Sequence, residues 1–165
     1  ILFSIADETK QEKILKNVLE NDEIPAITTP YFNFFELDVL CRMGKLTEVL
    51  DKIRSYWGGM LDLGAVTFWE EYDPSVPKEE QYDMYGDHFG KSLCHAWAAS
   101  PIYFLAKYFA GLDLVNKDGV TYILKPQMQY FTELVEITPN ADGGILELGE
   151  QKLSLVRGET RRVKI

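Results

Sequence analysis

The segment GGMLDLGAVTFWEE, residues 58–71, ends in a carboxylate set behind two aromatic rings. That carboxylate is Glu70, preceded by Phe68 and Trp69 and followed directly by Glu71. Further along, FGKSLCHAW (residues 89–97) supplies the imidazole of His95 and the indole of Trp97. Carboxylate, indole and imidazole are the materials of a sugar-cleaving pocket. Aromatic faces cover the apolar faces of a pyranose, polar groups hold its hydroxyls, and two carboxyl groups perform the acid and base steps. The same residue types also serve a plain core beside a polar surface, because pockets combine few polar groups with much apolar lining. Trp57 and Trp97 are read as packing residues, and Trp69 as a wall of the pocket.

These groups need elements to place them, and the chain is long enough to build them. It has 165 residues, 46% of them hydrophobic and 26% charged, the balance of a globular chain. Aromatics at 13% can furnish both a core and a carbohydrate-facing surface. The net charge of -9 argues against nucleic acid as a partner, since phosphate binding needs clustered Lys and Arg. No apolar run approaches the length of a membrane span. Cys41 and Cys94 both sit in apolar text that reads as helical, so both are expected as buried free thiols. Two histidines and no paired-cysteine motif make a structural zinc site improbable, and no cofactor is called for. Asp83, Asp87 and His88 resemble metal ligands, but nothing completes a coordination shell, so no metal is expected.

Four helical stretches precede a change of pattern. Thr9 with Glu12 forms a capping-box pattern for a helix over 9–21, with Ile14, Leu15, Val18 and Leu19 on its inner face. Thr29 and Pro30 open a helix over 30–43 that is apolar around most of its circumference and stops at Gly44. A third runs over 46–57 and ends at Gly58 and Gly59. The short join makes the second and third helices antiparallel neighbours. Residues 71–88 form a long polar insertion with two prolines and six acids, which Tyr82, Met84, Tyr85 and Phe89 should pack down. A final helical stretch covers 91–110, punctuated by Ser100-Pro101 with Ser100 as a candidate N-cap.

From about residue 112 the period becomes that of strands. VTYILKP, FTELVEITP, GILELG and KLSLVRG are short β-rich runs separated by Gly, Pro, Asn and Asp, which is antiparallel text with a tight turn at Gly149-Glu150-Gln151. The boundary therefore falls between residues 112 and 113. The basic end, with Arg157, Arg161, Arg162 and Lys164, either docks onto acidic helical surface or marks a charged strand edge.

Longer motifs carry a resemblance. TTPYFNFFELDVL, RSYWGGMLDLGAVTFWEEYDP and MYGDHFGKSLCHAWAASPIYFLAKYFAGL resemble the C-terminal part of bacterial α-L-rhamnosidases, inverting glycoside hydrolases built on an (α/α)6 barrel. The likeness runs from about Thr28 to Gly111 and more loosely into the β segment. It implies an α+β chain: the last helices of an (α/α)6 toroid over 1–112, followed by a small antiparallel β-sandwich over 113–165. It also implies that Glu70, which closes GAxTFWE, is the general base that activates water, and that His95 of the CHAW-like motif contacts the rhamnose. Val66 stands where the family often has threonine.

The family's general acid lies in an upstream Asp/Glu/Arg-rich segment with no counterpart here. An inverting pair stands roughly 6.5–9.5 Å apart, with a water between the two carboxyl groups. Glu71, adjacent to Glu70, is poorly placed to be the second member. The chain, which opens with ILFSIAD and no leader-like pattern, is therefore expected to be a fragment that needs the upstream part of its own barrel. The expected partner is a rhamnose-containing glycoside or polysaccharide, with neither nucleic acid nor membrane involved. Aglycone, linkage and compartment are not legible. The competing readings are a non-catalytic carbohydrate-binding or structural module, and a toroid glycosidase acting on another sugar.

Overall fold

The structure is a computed structural model that describes residues 1–114, 121–124, 127, 134–137, 144–148, 150–157, 159 and 161–164. The chain divides into two compact units, Ile1–Pro101 and Ile102–Ile165. It is an α+β chain.

In the first unit, α1 spans Glu8–Ile14 and continues as a π-helical turn, Leu15–Leu19. Its cap is Asp7, whose Oδ1 accepts from Lys10 N at 2.9 Å, and not the expected Thr9. Asp7 offers a carboxylate to the positive end of the helix, which a threonine cannot. Of the expected inner face only Leu15 is buried, while Ile14 and Val18 are exposed. In the π turn Glu20 N reaches back to Leu15 O, a five-residue step that shifts Val18 off an α-helical stripe.

Helix α2, Pro30–Arg42, begins where proline is best tolerated, but Thr29 does not cap it through its side chain. Thr29 Oγ1 is buried without a partner. The helix ends in a Schellman motif: Gly44 has φ +75°, Gly44 N donates to Cys41 O, and Lys45 N donates to Leu40 O. Leu37, Leu40 and Cys41 enter the core, together with Asn33 and Asp38. Tyr31, Phe32 and Phe35 stay exposed, so the helix is not buried on several sides within this chain. Asp38 is neutralised by Arg42, at 2.9 Å.

Helix α3 runs over Leu46–Asp62 and passes straight through Gly58 and Gly59. Its stop is Gly64, at φ +92°, with Gly64 N on Leu61 O and Ala65 N on Met60 O. Two interior glycines cost a helix about 1 kcal/mol each relative to alanine. Burial of Val49, Ile53, Tyr56, Trp57 and Met60 on one face offsets that cost. The two glycines differ in surroundings. A Cβ on Gly58 would meet open space, whereas one on Gly59 would overlap the Tyr72 ring. Gly58→Ala should therefore stabilise the fold by about 0.5–1 kcal/mol. Gly59→Ala should destabilise it, because Tyr72 must leave the Tyr56 ring it packs on at 5.5 Å. Urea unfolding of the two variants checks the difference in sign.

Helices α2 and α3 pack together and are tied by Lys52 Nζ on Glu36 Oε1 at 2.5 Å. The expected helix over 91–110 is reduced at its start. Residues 91–95 are not helical, a single 3₁₀ turn covers Ala96–Ala98, and α4 is Ser100–Phe104, followed by a π turn, Leu105–Phe109. Residues 92–95 bond instead to residues 68–70: Ser92 O accepts from Glu70 N, and His95 N donates to Phe68 O. Ser100 Oγ is buried without a partner, so it caps nothing. Cys41 is buried, but Cys94 lies exposed in the extended stretch.

Among its described residues the second unit carries six strands: β1 Leu112–Leu114, β2 Thr121–Leu124, β3 Leu134–Ile137, β4 Gly144–Leu148, β5 Gln151–Leu155 and β6 Arg161–Lys164. One sheet has the order β1-β2-β4-β5 and a second pairs β3 with β6. The pairing is not wholly antiparallel, because β2 and β4 run parallel. The intervening strand, β3, joins the other ladder, so the chain returns beside β2 in the same direction. The β4–β5 hairpin pairs Leu148 with Gln151. Gly149 of the expected tight turn and the side chains of Arg161, Arg162 and Lys164 lie outside the described residues. Among the described residues of this unit, Leu146, Leu155, Phe104 and Phe109 are buried. Among the described residues no helix is long and apolar enough to cross a membrane.

Candidate active site

Glu70 sits where residues 67–70 meet residues 92–95. Glu70 N donates to Ser92 O at 2.8 Å, and His95 N donates to Phe68 O at 2.8 Å. Thr67 Oγ1 adds a bond to Leu93 O. Ser92 returns the contact, its N–H donating to Glu70 Oε2 at 3.0 Å. The carboxylate is thus held by the same backbone that fixes its own peptide. The other oxygen, Oε1, accepts from the Tyr85 hydroxyl at 2.8 Å. His95 Nδ1 lies 3.7 Å from Oε2, close enough for attraction but too far for a hydrogen bond.

The residue is only 5% exposed. Burial alone pushes its carboxyl up, but the Ser92 N–H, the Tyr85 hydroxyl and the nearby His95 and Lys91 charges outweigh it and hold the group below the usual carboxylate value. Lys91 is itself buried; burial lowers its ammonium, while Glu71, Asp73, Asp83 and Glu70 pull it back up. Tyr85 is raised by its bond to Glu70, so its phenol stays protonated and donating. The outcome is an ionised carboxylate with two donors fixed, one on each oxygen, and one lone pair per oxygen left for a further donor.

Glu71 is engaged elsewhere. Its Oε1 accepts from Thr28 Oγ1 at 2.8 Å, and the next residue, Tyr72, is anchored through its N–H to Thr28 O and the Tyr56 hydroxyl. This ties residues 71–72 to the loop before α2 and to the middle of α3. Tyr56, deprived of solvent, has its phenol pushed up and works as a structural donor to Thr28 O.

Two of the three indoles, Trp69 and Trp97, lie differently from the sequence reading. Trp69, expected to wall the pocket, is 3% exposed and packs on Tyr82 at 5.6 Å, leaving no face for a sugar. Trp69 therefore belongs to the core, while the next residue, Glu70, turns its carboxylate to Tyr85 and Ser92. Trp97, expected as packing, is 42% exposed. Its Nε1 donates to Glu70 O at 3.3 Å, and its ring lies 4.0 Å from the His95 ring and 5.6 Å from Tyr31. Trp57 is core, as expected, and its Nε1 donates to Ala98 O at 2.8 Å. A partly open strip of Tyr31, Trp97 and His95 therefore runs beside the carboxylate.

The structure brings Glu70 and His95 close to each other. Tyr85, Ser92 and Trp97 were missed as members of the site. The available signals were Gly86 flanked by Asp87, a turn pattern that lifts Tyr85, and the two-residue spacing of His95 and Trp97. His88 Nδ1 meets Asp83 Oδ1 at 2.5 Å, and among the described residues no group of His, Cys, Asp and Glu is arranged to hold a metal ion.

No protein-family model and no curated protein matches this sequence. Solved structures do. A rhamnosidase from Klebsiella oxytoca with rhamnose bound is 33% identical over 63% of this chain and 20% of its own, with a TM-score of 0.53. The chain is rhamnosidase-like. A GH78 family rhamnosidase of Bacillus sp. GL1 aligns over 87% of this chain and 17% of its own, with a TM-score of 0.63 and 23% identity, which speaks to fold alone. This rhamnosidase-like chain spans about a fifth of the length of the enzymes it matches. The α+β arrangement is accounted for by that likeness, and a glycoside hydrolase-like origin with it.

Proposed function

We propose that this chain supplies the base-bearing part of an α-L-rhamnosidase that works with inversion. In the complete enzyme its helices would be the last of an (α/α)6 toroid and its strands a β-sandwich behind it. Glu70 takes a proton from a water as that water's oxygen attacks the anomeric carbon of a terminal α-L-rhamnosyl residue. The bond to the leaving oxygen breaks, and a carboxylic acid from the rest of the barrel protonates that oxygen. His95 holds a sugar hydroxyl, and Trp97, in place of Trp69, offers the aromatic face.

The observation that carries this reading is the state of Glu70. A general base must be ionised, and the Ser92 and Tyr85 donors favour the charged form over the opposition of burial. A general acid would need the reverse environment. Glu71, bound to Thr28, is not its partner in the reaction.

A pH dependence follows. The base works only when deprotonated, and its depressed value keeps it so as pH falls. The acid limb of kcat/KM should therefore lie below the ordinary 4.5 of a glutamate. The test is hydrolysis of an aryl α-L-rhamnoside by the complete enzyme, with NMR of the first-formed sugar. Turnover giving the β anomer first supports the reading. Activity confined to other glycosides removes the sugar assignment, and the α anomer first removes inversion.

A further inference from the structure

We propose that Tyr85 is a positioning residue for Glu70: a hairpin built into the long polar insertion exists to set the Tyr85 hydroxyl on the carboxylate. The inference rests on Glu70 being the base.

Met84 and Asp87 exchange two backbone bonds, Met84 N to Asp87 O at 3.0 Å and Asp87 N to Met84 O at 2.9 Å. The two residues between them, Tyr85 at φ +55° and Gly86 at φ +80°, both occupy the left-handed region. That is the geometry of a primed two-residue hairpin turn, which glycine, asparagine and aspartate fill without cost. A tyrosine there is strained, and such strain gathers at functional sites.

Several contacts hold the strained tip in place. Lys91 N donates to Tyr82 O at 3.1 Å at the hairpin root. Tyr82 packs, tilted, against buried Trp69, next to Glu70 in the chain. The His88–Asp83 pair closes the arms. Gly90 lets the chain pass against Met84 O, where a Cβ would collide. Tyr85 itself is 79% exposed, so burial of its ring does not explain its pose. Its hydroxyl is bonded to Glu70 Oε1, 15 residues away in sequence.

With Ser92 N–H on Oε2 and the phenol on Oε1, the carboxylate cannot rotate about its last bond. One lone pair is kept aimed at the attacking water, and orientation of this kind is worth large factors in rate. Supporting donors to a working group typically contribute ten- to a hundredfold.

The test uses the complete enzyme with an aryl α-L-rhamnoside and the variants Tyr85→Phe, Glu70→Gln and the double variant. Tyr85→Phe keeps the ring and should lower kcat by about ten- to a hundredfold with KM nearly unchanged. The acid limb should move up, since a donor to the charged form is gone. In the Glu70→Gln background the same change should add nothing. Wild-type kcat and an unmoved acid limb in Tyr85→Phe overturn the proposal while leaving the base standing, provided that Glu70→Gln is inactive. A loss of the same size in the Glu70→Gln background also overturns it, because Tyr85 would then act on the substrate directly. Near-normal activity of Glu70→Gln defeats the base reading itself.

Discussion

Glu70→Gln lowers kcat of the complete enzyme by about 10²–10⁴-fold, the usual contribution of a general base. Glutamine has the shape of glutamate and can still accept one of the two hydrogen bonds, from Ser92 N or the Tyr85 hydroxyl. It cannot take a proton from water. The fold should therefore persist while turnover falls, and substrate affinity should change much less than kcat. Steady-state kinetics with an aryl α-L-rhamnoside, beside a circular-dichroism melt, separate the two effects. A variant that keeps more than about a tenth of wild-type kcat would show that the carboxylate performs no proton transfer in the slow step.

Trp69→Ala should cost about 3–5 kcal/mol of stability, as expected for a large buried side chain. The indole is buried, packs on Tyr82, and lies in the segment that pairs with residues 92–95. Its removal loosens the site and the hairpin root together. Trp97→Ala should behave differently. The ring is partly open and rests on His95 and Tyr31, so stability should fall by about 1 kcal/mol. KM for a rhamnoside should rise about two- to tenfold if the ring faces the sugar. Urea unfolding and KM, measured on both variants, exchange their outcomes if Trp69 is the pocket wall after all.

Local features of the fold were legible where one residue dictates backbone. Pro30 marks the start of α2, Gly44 its end, and the β-rich runs after residue 112 become strands. Local features also misled where tertiary packing overrode propensity. Gly58-Gly59 looks like a stop, but buried apolar side chains on either side carry α3 to Gly64. SLCHAWAAS has helical composition, yet its first residues pair with 68–70, a contact more than 20 residues away that periodicity cannot report. The parallel β2–β4 pairing is hidden for the same reason, since it depends on where β3 goes.

The candidate residues were legible as members of motifs, and their surroundings were not. Glu70 and His95 stand in long, specific patterns, and the structure brings them within 3.7 Å. Tyr85 and Ser92 reach the carboxylate from an insertion and an extended segment whose folding the residues alone do not announce. The difference in burial between Trp69 and Trp97 depends on tertiary contacts, Trp69 on Tyr82 and Trp97 on His95 and Tyr31, which the residues alone do not announce.

Chemical rescue tests the central claim most directly. Glu70→Gly in the complete enzyme removes the base and leaves space for azide, an anion that attacks the anomeric carbon without losing a proton. With an aryl α-L-rhamnoside, added azide should restore release of the phenol, and NMR should show β-L-rhamnosyl azide, the inverted product. No restoration by a variant that keeps the wild-type fold, or an α-azide product, would contradict Glu70 as the base of an inverting reaction.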